Sequence, residues 1–175
     1  GSDVWNRQVR HGLLFSELHI ILYTSFISFG EKKIQISENV FVYPTYSKNK
    51  IVAFFQIIFR ARKLFQMNPN KSMWQVSAQD PFEVGFTGWC IKKILGIKLH
   101  TQIHIDFFSP FYKKESLRNR LQALIAPFLI RRSDTLRVVS KKIYAHVTDV
   151  IGCKKEIVHV VPVYTDVTRL QIKNP

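Results

Sequence analysis

The chain has 175 residues, 46% apolar and 22% charged, a composition that excludes both a disordered chain and a membrane channel. That length accommodates one domain of ordinary size and leaves no room for a second full one. Lysine and arginine outnumber the acids 26 to 12, and the resulting formal charge of +14 favours anionic partners such as nucleic acid, anionic lipid headgroups or phosphorylated substrates.

Gly1-Ser2-Asp3-Val4 lacks the basic and apolar regions of a secretory signal. Leu18 to Thr24 is a short apolar run of the kind that forms a strand buried on both faces, and Val40 to Tyr43 is a second, stopped by Pro44. The pattern turns helical from Lys50 to Met67. Its longest apolar run, Ile51 to Phe55 with an extension to Phe59 across Gln56, falls far short of the roughly 20 residues of a spanning helix. Asn68-Pro69-Asn70-Lys71 breaks the helix, and Met73 to Ala78 reads as a strand.

Asp80 as N-cap, Pro81 at the first position, Glu83 as the acid of a capping box and Gly96 as terminator predict a helix from Pro81 to about Leu95. Ile97 to His104 returns as a strand. After an aromatic loop, Leu117, Leu121, Leu124, Ile125, Phe128 and Leu129 recur at helical spacing, with Pro127 placed to bend that helix. Thr135 to Val139 is the next strand, Ser140 caps a helix running to about Val150, and Ile157 to Val163 is the last strand. This alternation predicts an α/β, Rossmann-like, doubly wound and mostly parallel sheet spanning residues 1–166, followed by a linker at 167–175.

Ligands of an open parallel sheet bind beyond the C-terminal ends of its strands, which selects Gln79 to Gly88, His104 to Tyr112 and the turn at Ser140. Asp80 and Glu83 would place two carboxylates there for sugar hydroxyls or proton transfer; capping alone also explains both. Gly85 and Gly88 suit close helix packing or close approach of a ligand, and the full dinucleotide fingerprint is missing. His104 and Asp106 are expected to face the cleft, against the plain reading of a hydrogen-bonded histidine and a loop-starting aspartate. With His100 they would share a strand face, but no further ligand at a known spacing appears, so no metal is expected.

Phe107, Phe108, Phe111 and Tyr112, followed by Lys113 and Lys114, suit a membrane interface or a lipid-bearing acceptor, or fold inward as core. Arg118, Arg120, Arg131, Arg132, Lys141 and Lys142 are candidates for a positive rim. Cys90 and Cys153 have no metal-type spacing, in keeping with a reducing, cytoplasmic setting, and no nucleophile elbow or P-loop occurs.

Several stretches, in order, resemble the N-terminal domain of family 4-type glycosyltransferases. They begin with Gly1 to Val4 through Arg7-Gln8, Glu17 to Ile21 and Asn39 to Pro44. The stronger ones are Gln79-Asp80-Pro81-Phe82-Glu83-Val84-Gly85 and His104-Ile105-Asp106-Phe107, and Arg137 to Ser140 and Val161 to Asp166 complete the series. The resemblance implies the acceptor-side half of a GT-B fold in a hexosyltransferase-type enzyme of polysaccharide biosynthesis. A nucleotide-sugar donor would be held by a C-terminal donor-binding domain on the same chain or a separate subunit, with no cofactor in this chain. His104, with Asp106, would serve the sugar-transfer centre; Asp80, Glu83, Gly85 and Ser140 would line the acceptor and donor cleft. Phe107, Phe108, Phe111, Lys113 and Lys114 would touch a lipid-linked acceptor or an anionic membrane, placing the protein at the cytoplasmic, inner face of the plasma membrane.

Two departures accompany the resemblance. The family's first strand and glycine-bearing loop would precede Gly1, and only nine residues follow Asp166, so this chain alone is expected to bind and not to transfer sugar. The rival expectation is a non-catalytic basic module for nucleic acid or an acidic partner.

Overall fold

The structure is a computed structural model and describes residues 3–24 and 33–163; the stretches Gly1-Ser2 and Tyr164 to Asp166 of the resemblance, and the linker at 167–175, lie outside them. The fold is α/β with mostly parallel strands, Rossmann-like, and it divides into two compact units, Gly1–Pro69 and Asn70–Pro175.

The first unit holds helix α1 (Asp3–Gly12), strands β1 (Leu18–Leu22), β2 (Ile34–Ser37) and β3 (Val40–Pro44), and helix α2 (Lys50–Met67). Strand order is β1-β3-β2, with β1 parallel to β3 and β2 antiparallel to it. The middle position explains why Val40 to Tyr43 are all buried. Strand β1, expected to be buried on both faces, is only half-buried, because in this sheet it has a neighbour on one side alone. Helix α2 has the expected bounds: the Asn49 side chain accepts from the Ile51 and Val52 N–H groups, two of the donors that a helix start leaves without backbone partners.

The second unit contains β4 (Gln75–Ala78), α3 (Glu83–Leu95), β5 (Lys98–Ile103), α4 (Pro110–Glu115), α5 (Leu117–Ile130), β6 (Thr135–Val138), α6 (Lys141–Ala145) and β7 (Val158–Val160). Its four strands lie in the order β4-β5-β6-β7, all parallel. Side chains alternate along each strand. On β5, Leu99, Thr101 and Ile103 are buried, and they share their face with Leu136 and Val138 of β6. Ala126 and Ile130 of α5 and Ile143 of α6 complete that core.

The opposite face of this sheet is polar and cross-linked. His100 Nδ1 lies 2.8 Å from Thr135 Oγ1, the Gln102 amide donates to Ser77 at 3.3 Å, and Arg137 donates to Gln102 Oε1 at 3.1 Å.

Helix α3 begins later than its sequence signals suggest. Asp80 Oδ1 accepts the Phe82 N–H at 2.8 Å in a tight turn, and helical geometry starts only at Glu83, with no side-chain cap. The end is as expected: Gly96 adopts a left-handed φ of 68° and closes the helix onto the Lys92 carbonyl at 2.8 Å. Past Ala145 the sixth helix widens into a π-turn over His146–Val150, with the Ile151 N–H reaching the His146 carbonyl at 3.1 Å. Among the described residues no helix is long and apolar enough to cross a membrane.

Candidate functional site

Strands β4 and β5 run parallel, so the chain leaves both at the same sheet edge. The turn after β4 carries Gln79 and Asp80; the turn after β5 carries His104 and Ile105. Between them lies a cleft of about 40 Å³, lined by Gln79, Asp80, Pro81, Phe82, Ile103, His104, Ile105 and Phe107. A single water requires about 10–15 Å³ on this measure, so the cleft, whose surface is mostly apolar, admits a small group and not a whole sugar ring.

Its floor is aromatic. Phe82 meets Phe107 edge-on with ring centroids 5.3 Å apart, Phe107 meets Phe108 at 4.0 Å, and Phe108 stacks on His146 at 3.6 Å. On the other side Phe82 stacks on Tyr112, whose hydroxyl donates to Gln122 at 2.7 Å. This chain of rings holds the cleft-lining segments in place.

His104 is exposed at the cleft mouth. Its imidazole titrates below the ordinary histidine value, first because partial burial penalises the cation and then because the Arg137 guanidinium repels it; Asp80 pulls the other way. A neutral imidazole both donates and accepts a hydrogen bond, which suits orientation of a hydroxyl.

The other predicted residues disperse. Asp106 accepts an ion pair from Lys142 at 2.7 Å and is not among the residues lining the cleft. Glu83 turns away to receive Arg118 Nη2 at 3.0 and 3.1 Å, so it neither closes a capping box nor lines the cleft. Ser140 accepts the Ile143 N–H at 3.2 Å and serves as the N-cap of α6. Gly85 admits no ligand, since a Cβ there would lie 2.7 Å from the Asp80 carbonyl oxygen, and Gly88 packs under Leu99.

Phe107, expected as a membrane or acceptor contact, is fully buried; the strand edge and the flanking rings enclose it. Phe108 is half-buried against His146, whereas Phe111 is 79% exposed, with Lys113 and Lys114 exposed beside it. The basic rim is largely engaged locally: Arg120 donates to the Lys113 carbonyl, Arg131 to the Ile151 carbonyl and Arg132 to the Phe128 carbonyl. Arg118 and Lys142 hold Glu83 and Asp106.

Two contributors went unassigned in the sequence. Gln79 lines the cleft, and the strand-end rule alone points to it, because it follows the last residue of β4. Arg137, on the neighbouring strand β6, adds to burial in lowering the His104 pKa, a relation that no local pattern signals. His100, a conceivable metal ligand, instead bonds Thr135, and among the described residues no three His, Cys, Asp or Glu side chains are grouped to hold a metal. No protein-family model matches this sequence, and no curated protein matches it.

Proposed function

We propose that the chain supplies the acceptor side of a glycosyltransferase, with His104, Asp80 and Gln79 orienting a hydroxyl of the acceptor sugar and a nucleotide-sugar donor held by a separate donor-binding domain. The observation that carries this reading is the cleft itself. It lies at the C-terminal ends of parallel strands, has a mostly apolar interior with Gln79, Asp80 and His104 among its lining residues, and is formed by the two segments in which the resemblance is strongest. The small volume suits one protruding hydroxymethyl or hydroxyl group, with the rest of the acceptor outside.

Asp106 acts indirectly in this scheme by holding Lys142, whose ammonium is available to a phosphate-bearing acceptor. A cytoplasmic setting at the inner membrane face agrees with two cysteines that are both free thiols. The charge of +14 favours a second reading, a basic module for nucleic acid or an acidic partner.

Titration of the isotopically labelled chain with a short-chain lipid-pyrophosphate sugar tests the first reading by amide chemical shifts. Shifts are expected at Gln79, Asp80 and His104, and His104→Ala is expected to weaken binding about tenfold, the worth of one good hydrogen bond. Absence of sugar-dependent shifts, together with steeply salt-dependent RNA or DNA binding, would select the second reading.

A further inference from the structure

We propose that the outward face of α5 is a membrane-contact surface that seats the protein on anionic bilayers. The inference rests on the inner-membrane-face reading above and names the surface that would make it true.

Helix α5 is apolar on two sides. Ala126, Leu129 and Ile130 are buried in the core, yet Leu117, Leu121, Leu124 and Phe128 are 80%, 57%, 76% and 41% exposed. At about 100° per residue these four fall within an arc of about 60°. A stripe of large apolar side chains facing water along three turns marks an interaction surface. Phe111 on the adjoining α4, 79% exposed, adds a further apolar group.

Cations border this stripe. By the same helical geometry Arg120 falls on one side of it and Arg118 on the other, while Arg131 and Arg132 follow the end of the helix at Ile130. Between Pro110 and Arg132 there are six basic residues, Lys113, Lys114, Arg118, Arg120, Arg131 and Arg132, against a single acid, Glu115. Glu83 is paired with Arg118, and both partners are more than half exposed, so that pair is weak. Arg132 lies 3.4 Å over the Phe128 ring, joining the cation to the apolar stripe.

Apolar side chains between flanking arginines match a bilayer interface, where the stripe enters the acyl boundary and the cations reach anionic headgroups. A second copy of the chain is a poor occupant. A two-fold interface would set each flanking arginine against like charges, whereas interface centres are depleted in charge.

Vesicle co-sedimentation of the full chain provides the test, with phosphatidylcholine alone and phosphatidylcholine mixed with phosphatidylglycerol. The wild type is expected to bind the anionic vesicles, and the double variant Leu121→Ser/Leu124→Ser to bind about tenfold more weakly with an unchanged circular dichroism spectrum. Leu124→Trp is expected to show extra fluorescence quenching by brominated lipid relative to wild type. Equal binding by the double variant would overturn the α5 assignment while leaving the membrane reading intact. Failure of the wild type to bind any anionic vesicle would overturn both, and a lipid-free oligomer that the double variant dissociates would make the stripe a self-association face instead.

Discussion

A Cβ placed on Gly85 would stand 2.7 Å from the backbone carbonyl oxygen of Asp80, closer than such atoms approach in proteins. The glycine therefore lets α3 start directly beneath the turn that carries Asp80 into the cleft. Backbone cannot swing aside as the end of a flexible side chain can. Gly85→Ala is accordingly expected to destabilise the protein by about 1–3 kcal/mol, read from the urea midpoint, and to displace the Asp80 amide resonance.

Asp134 and Leu99 are joined twice. The Asp134 carboxylate accepts the Leu99 N–H at 2.7 Å, and the Asp134 N–H donates to the Leu99 carbonyl at 2.8 Å. Burial raises the Asp134 carboxyl pKa, but the Leu99 N–H and Lys92 outweigh it, and the group titrates below its ordinary 3.8. Its contribution is therefore present above that value and lost as pH falls through the lower, folded one. Asp134→Ala leaves an N–H without its partner at a residue of 0% exposure and is expected to cost about 1–3 kcal/mol. Lys92→Met, which removes a partly exposed ion pair, is expected to cost less, within about 1 kcal/mol. Parallel denaturation curves compare the two.

Three histidines of the second unit, His100, His104 and His146, all titrate below the ordinary 6.5, with burial the first cause in each. The unfolded chain then binds protons more tightly than the folded one, so stability is expected to fall as pH drops below about 6.5. His100, held against Thr135, contributes to this slope, and His100→Gln is expected to flatten it. Urea midpoints from roughly pH 7 to pH 5 provide the measurement.

Arg137 repels the protonated form of His104 from strand β6. Arg137→Met is expected to raise the His104 pKa, followed by the pH dependence of its ring resonances, and Arg137→Lys to leave it nearly as low.

The α/β alternation, the bounds of α2 and the end of α3 at Gly96 were legible in the chain, because caps, glycine punctuation and hydrophobic period act within a turn or two of helix. The strand-end rule also located the cleft-forming turns. Strand β2 and helix α1 escaped notice, the first being four residues long and the second rich in polar and charged groups. Choices of partner were beyond local signals. Whether Glu83 closed a capping box or reached Arg118, 35 positions away, depended on where α5 packed. Phe107 turned inward and Phe111 outward for the same reason, since neighbouring elements decide which side of an aromatic loop meets the core. On α5, apolar on two sides, periodicity announces a helix but cannot say which face is buried; packing against the sheet selected Ala126 and Ile130 and left Leu117, Leu121 and Leu124 outside.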